Sequence, residues 1–199
     1  MSEEKPMPDR MDDISAWRKS ERARLIAQRQ VMPIDAFRAT SDAIVRPLPK
    51  ILPDSDITAF YWPFRREPDC LPLMRSMLSN GARVALPIVV GRSSPLAFRL
   101  WTEKSKMEAG PWEILHPAEG PFVVPTAFVV PLVGFDDAGY RLGYGAGYYD
   151  RTLASLTPRP FTVGVGFEFS RLQTIHPQPH DVPLDVIVTE ERVRSFPER

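Results

Sequence analysis

Apolar positions along the chain follow two rhythms, and each change of rhythm marks an element. From residue 13 to residue 30 there is neither glycine nor proline. Ile14, Trp17 and Leu25, with the aliphatic stem of Arg18 or Arg22, can line one side of a helix there. A second helix is expected after Pro33, with Asp35 as its N-cap, running until Arg46-Pro47 breaks it. Leu73, Met74, Met77 and Leu78 recur at helical spacing within residues 71–80, and Gly81 suits the position that ends such a helix. Residues 148–156 read as one more helix.

Elsewhere the apolar residues run together. Residues 57–62, 84–90, 98–101 and 128–133 read as strands, the first ending at Pro63, and strands return at Thr162 and Val186. Residues 102–125 read as an irregular polar segment. Several strands are apolar throughout, the mark of burial on both faces. Strands and helices alternate at crossover spacing. The pattern predicts an α/β fold, a three-layer α/β sandwich with a mostly parallel central sheet and helices on both faces. Ligands are expected at loops leaving the C-terminal strand ends, where Glu67, the glycines at 143–147 and the segment after Thr162 fall.

With 199 residues, 43% of them hydrophobic, the chain can bury a substantial core. The expected organisation is a disordered tail over residues 1–12 and a single domain over residues 13–199. No apolar run reaches the ~18 residues of a membrane span. The opening MSEEKPMPDRMDD is too charged for a signal peptide, so a cytoplasmic protein is expected. Cys70 stands alone, which excludes an intramolecular disulfide and a thiolate zinc cluster. Lysine plus arginine equals aspartate plus glutamate at 25 each, so no overall field would hold the protein on nucleic acid. Basic charge is nonetheless concentrated at Arg18, Lys19, Arg22, Arg24 and Arg29, as a solvated helix face or as a site for phosphate.

The densest chemistry lies at residues 141–151, RLGYGAGYYDR. Gly143, Gly145 and Gly147 lack the Cβ that would hold a ligand off, so successive N–H groups can be aimed at one point. Between an apolar strand and a helix start, this is the arrangement that cradles phosphate, and Arg141 and Arg151 add charge. A ligand-free glycine turn is the plain alternative.

The string RLGYGAGYYDRTL, preceded by VVPLVGFD and followed by HDVPLDVIVTE, resembles the 5-formyltetrahydrofolate cyclo-ligase family, also called methenyltetrahydrofolate synthetase, over roughly residues 14–190. The resemblance implies an enzyme that uses ATP and Mg2+ to convert 5-formyltetrahydrofolate into 5,10-methenyltetrahydrofolate, releasing ADP and phosphate through a phosphorylated formyl (imidate phosphate) intermediate. It implies ATP binding by Arg18, Lys19, Arg22, Arg141, Gly143, Gly145, Gly147 and Arg151, with catalytic parts for Arg141 and Tyr148. Trp62, Glu67, Trp112, Tyr148 and Tyr149 would meet the folate, and Asp150 and Asp181 would hold the magnesium. The implied partners are these small molecules, with neither nucleic acid nor membrane, and the implied state is a monomer or weak homodimer.

Departures from the family pattern gather outside the glycine motif. Arg18 stands where a lysine is usual in the first helix, Glu21 where a leucine is usual, and His116 where Glu or Gln is common. Two alternative readings follow: a divergent paralogue that binds ATP with altered substrate or no ligase activity, and a dinucleotide-binding oxidoreductase. G-x-G-x-G departs from the G-x-G-x-x-G spacing of the latter. His176, His180 and Asp181 also invite a metal-hydrolase reading, but the prolines of HPQPHD prevent helical ligand spacing.

Overall fold

The computed structural model describes residues 11–197, with side chains from Asp13 onward. Helix α1 (Met11–Gln30) ends where the breaker-free stretch ends and starts two residues earlier than expected. Residues 1–10 of the expected tail lie outside the described residues. Helix α2 (Ile34–Val45) has Pro33 as its N-cap, with no side-chain cap, so Asp35 falls in the first turn and not at the cap expected for it. There its negative charge still faces the positive helix end. A single further turn, α3 (Leu48–Ile51), follows Pro47. After strand β1 (Ile57–Ala59) comes α4 (Leu71–Ser79), which Gly81 terminates in a left-handed conformation at φ +83°.

Strands β2 (Arg83–Ile88) and β3 (Ala97–Trp101) form a hairpin. The segment expected to be irregular holds a small ladder of β4 (Met107–Ala109) with β5 (Leu115–Pro117), and then the edge strand β6 (Phe122–Val123). Strand β7 (Ala127–Pro131) leads into a short hairpin, β8 (Gly134–Phe135) with β9 (Arg141–Leu142), and then into helix α5 (Tyr148–Ser155). Strands β10 (Phe161–Val165), β11 (Val186–Val188) and β12 (Val193–Ser195) complete the chain. The main sheet has eight strands in the order β12-β11-β10-β7-β1-β2-β3-β6. The run from β11 to β2 is parallel, and the flanking β12, β3 and β6 are antiparallel.

Alternate residues of the central strands feed two cores. Val84, Leu86, Val129, Val163 and Val186 join Ile44, Leu48, Leu73 and Met74 from α2, α3 and α4 on one face. Ile57, Ala59, Ala85, Phe128, Val130 and Ile187 join Leu153 from α5 on the other. The fold is thus a three-layer α/β sandwich around a mostly parallel sheet. Burial on both faces explains why these strands are apolar throughout. Neighbouring strands β1 and β7 send the chain to opposite faces, to α4 and to α5, and this divergence opens a crevice at their C-terminal ends. Among the described residues no helix is long and apolar enough to cross a membrane.

Candidate active site

A cavity of about 560 Å³ fills that crevice, within the range that encloses a small ligand. Its walls come from the chain after β1, the glycine run after β9, the inner face of α1, the turn at 111–116 and the loop at 178–181. Positions 18, 22, 25 and 29 of α1 share one helical stripe. Leu25 packs against Val133, Leu142 and Ile175, seating the helix over the β8–β9 hairpin. The other three stripe residues are arginines held toward the sheet. Lys19 and Arg24 lie off the stripe and are exposed.

The glycine wall is dense in guanidinium groups. Arg22 Nε donates to the Gly143 carbonyl at 2.9 Å. Arg18 makes a two-pronged pair with Asp181, Nη1 to Oδ2 at 2.8 Å and Nη2 to Oδ1 at 3.1 Å. Arg141 donates to the Val182 carbonyl at 2.7 Å and pairs with Asp150 Oδ1 at 3.1 Å. Arg151 reaches back to the Ala146 carbonyl at 2.6 Å, with its charge 5.3 Å from the Tyr148 ring centre. Burial, and then the charge of Arg18, lower the Arg22 pKa, while Asp181 acts the other way.

The three glycines are not equivalent. Gly145 and Gly147 sit at φ +99° and +67°, where side chains are disfavoured. A Cβ on Gly147 would fall 2.9 Å from Arg151 Nη1, whereas one on Gly143 would meet nothing within 4 Å. Gly147 is the N-cap of α5, which has no side-chain cap, so its first-turn N–H groups find no acceptor of that kind.

Glu67 lies on the cavity floor, 3% exposed, and accepts the Phe64 amide at 3.0 Å. Burial pushes its pKa up to about 7, against smaller downward pulls from Arg29, the Phe64 amide and the Tyr144 hydroxyl. Arg29 is 2% exposed and donates to the Arg65 carbonyl at 2.9 Å and to the Tyr144 hydroxyl at 2.7 Å. Cys70, nearby, has its thiol pushed up to about 12 by burial and is no thiolate nucleophile.

Aromatic surface completes the cavity. Tyr148 and the 56% exposed Trp112 meet edge to face, with ring centres 6.3 Å apart. Trp112 and Glu113 take consecutive left-handed conformations, φ +60° and +61°, which hold the indole outward at the mouth. Trp62 leans on Trp101 at 6.4 Å. The Tyr149 hydroxyl is buried without a hydrogen-bond partner among the described residues, as is Arg18 Nε, and both residues line the cavity. Such donors are costly to leave unmet and suit a polar ligand.

The structure therefore brings Arg18, Arg22, Trp62, Glu67, Trp112, Arg141, Gly143, Gly145, Gly147, Tyr148, Tyr149, Asp150 and Asp181 to one cavity. It leaves Lys19 exposed and puts Arg151 behind the glycine run. His116 also lines the cavity, its Nδ1 3.2 Å from the Pro117 carbonyl and 3.7 Å from Glu108. His176 turns away to an edge contact with Trp17 at 4.7 Å. The sequence marks Arg29 only as one charge of the basic cluster and does not single out Tyr144. The helical stripe through 18, 22, 25 and 29 was the signal that would have found the first.

Among the described residues no cluster of three or more His, Cys, Asp or Glu side chains could hold a metal alone. A cation here would need ligand oxygens or water beside one or two carboxylates, which fits a magnesium ion bound with phosphate. Asp150 directs Oδ1 to Arg141 and to the Val182 amide, leaving Oδ2 for a cation. Both oxygens of Asp181 are taken by Arg18, and Oδ2 also accepts the Gln178 amide.

Comparison with known proteins points the same way. The sequence profile of the 5-formyltetrahydrofolate cyclo-ligase family matches residues 14–190. A Mycoplasma pneumoniae 5-formyltetrahydrofolate cyclo-ligase is 44% identical over 64 residues, a stretch covering 32% of this chain and 38% of that protein. The Escherichia coli 5-formyltetrahydrofolate cyclo-ligase is 30% identical over 142 residues, 68% of this chain and 78% of the other. The solution structure of Aquifex aeolicus 5,10-methenyltetrahydrofolate synthetase superposes with a TM-score of 0.78 at 30% identity, covering 92% of this chain and 94% of that one. The profile match spans the β1–β7 crevice, the glycine run and the loop carrying Asp181, and the chain belongs to the 5-formyltetrahydrofolate cyclo-ligase family.

Proposed function

We propose that the protein is an ATP- and magnesium-dependent ligase that closes 5-formyltetrahydrofolate to 5,10-methenyltetrahydrofolate, releasing ADP and phosphate. The observation that carries this reading is one cavity with two unlike ends: a guanidinium-lined glycine run, and a buried carboxyl below aromatic rings. Family membership supplies the reaction class.

A formamide oxygen is a poor leaving group. In the proposed reaction it attacks the γ-phosphorus of ATP, ADP departs, and an imidate phosphate forms. Nitrogen 10 of the folate then attacks the formyl carbon and loses its proton, and phosphate leaves with the former formyl oxygen. The residues mainly hold and neutralise. Arg22, Arg141 and the amides around Gly143, Gly145 and Gly147 would receive the phosphates, with Arg151 bracing the loop from behind. Arg18 would act from its Asp181 pair, and Lys19, exposed and outside the cavity lining, would add its charge from the helix's outer side. Tyr148, Trp112 and Trp62 would flank the flat folate, and Tyr149 would offer its unmatched hydroxyl. Glu67 would hydrogen-bond the pterin and orient the formyl group.

Asp150, through Oδ2, would hold magnesium, with Asp181 keeping Arg18 in place beside it. When bound, the ion supplies positive charge to the phosphate oxygens. We take residues 13–199 as one catalytic domain, acting in the cytoplasm as a monomer or weak homodimer. The test is optical. Purified protein with ATP, magnesium and 5-formyltetrahydrofolate should develop the near-ultraviolet absorbance of the methenyl product, dependent on ATP. ATP binding without that absorbance at high protein concentration would identify a divergent family member.

A further inference from the structure

Tyr144 sits between two glycines of the phosphate-binding run, yet its side chain reaches the cavity floor. Its ring packs near Phe64, with centres 6.0 Å apart, and its hydroxyl lies 2.7 Å from Arg29 Nη2. A guanidinium only donates, so the tyrosine oxygen accepts that bond and its own proton is left to give away. Glu67 stands beside it: Phe64, on which the Tyr144 ring packs, donates its amide to the Glu67 carboxylate at 3.0 Å, and the nearby hydroxyl lowers the Glu67 pKa. Arg29 cannot swing elsewhere, because it also holds the Arg65 carbonyl at 2.9 Å and the Leu132 carbonyl at 3.4 Å. The hydroxyl is thereby fixed in direction.

We infer that Tyr144 is a positioning residue that links the two ends of the cavity: a phosphate seated on the glycine run sets, through this hydroxyl, how Glu67 is presented to the second substrate. The inference rests on the ligase reading only for the chemistry that Glu67 serves. Gly143 and Gly145 flank the tyrosine, and Arg22, which phosphate would engage, donates to the Gly143 carbonyl at 2.9 Å and lies 3.4 Å from where a Cβ on Gly145 would stand. Any shift there moves the hydroxyl against a carboxyl that balances near neutrality. The groups facing Glu67 are Arg29 from α1, Tyr144 from the glycine run, Tyr149 from α5, and Tyr61 and Cys70 from the chain between β1 and α4. Of the hydroxyls among them, only that of Tyr144 belongs to the glycine run.

The Glu67 carboxyl is followed directly by carbon-13 NMR of the glutamate side chains, assigned with Glu67→Gln. In the wild-type protein, a non-hydrolysable ATP analogue with magnesium should move its midpoint by about half a pH unit or more. In Tyr144→Phe the midpoint should start higher and no longer respond, although the analogue still binds. Turnover should fall about tenfold or more, as for loss of a hydrogen bond to a charged group, with the ATP Michaelis constant changed much less. Arg29→Lys keeps the charge but loses the fork, and should blunt the same response. A wild-type carboxyl indifferent to the analogue, or a Tyr144→Phe protein that titrates and responds like wild type, overturns the link. Absence of methenyl product from the wild-type chain counts against the ligase reading, while the carboxyl titration decides the link on its own.

Discussion

The two ends of the cavity handle charge in opposite ways. At the glycine run each guanidinium already has a partner: Arg18 with Asp181, Arg141 with Asp150, Arg22 and Arg151 with backbone carbonyls. At the floor Glu67 is nearly dry, and its neighbour Arg29 spends its hydrogen bonds on two carbonyls and a tyrosine. Cations held in place are ready for a polyanion with little rearrangement, which is how preorganised charge lowers a barrier. A carboxyl poised near neutral pH can accept or donate, which suits a heterocycle carrying both kinds of group. In the proposed reaction one end would neutralise and the other would discriminate.

The sharpest way to break this contrast is Arg141→Ala. It removes a 5% exposed cation and leaves Asp150, with its remaining amide bond, unneutralised at the glycine-run end. Turnover should fall by about 10²–10³, with a lower Tm, as for removal of a preorganised charge. Turnover within threefold of wild type would sink the assignment of this end to phosphate.

Glu67→Gln tests the other end. Because the folded pKa of Glu67 is raised, its protonated form favours folding below about 4.5, and that advantage is lost as the pH climbs through about 7. Glutamine avoids the buried charge. Its Tm relative to wild type should therefore rise between pH 4.5 and 7 and then level off, a gain of about 3 kcal/mol for a shift of this size. A Tm difference that is flat with pH rules out a carboxyl with a raised pKa.

The smallest effects separate glycines within one motif. Gly147→Ala meets both a left-handed backbone and Arg151, and should cost about 1–2 kcal/mol in chemical denaturation. Gly143→Ala has open space above it and should leave stability unchanged while weakening ATP binding, if phosphate occupies that space. Equal, unaltered ATP affinity in both variants would remove the run from nucleotide binding.

How much of this was legible depended on whether the signal was local. The buried strands announced themselves because burial on both faces leaves no polar alternation, as in β2 and β7. The β8–β9 hairpin did not, since two-residue strands carry no period and the glycine motif dominates that stretch. Strand β12 was hidden by its exposed, arginine-bearing Val193–Ser195 sequence. In the site, Gly145 and Gly147 could be read from the missing Cβ, and Arg141 from its place beside them. Arg29 looked like one more charge on a basic helix, because its partners Arg65, Leu132 and Tyr144 lie on other elements. Its place on the stripe of 18, 22 and 25, which packs against the β8–β9 hairpin, distinguishes it from the exposed Arg24.

The start of α5 carries a consequence for timing. Gly147 gives this eight-residue helix a left-handed entry and no side-chain cap. The first-turn amides therefore depend on solvent, and deuterium should replace their protons quickly. An anion on the glycine run would take over the role that a capping serine plays elsewhere, slowing that exchange at Tyr149 and Asp150 before any bond in the substrate has changed.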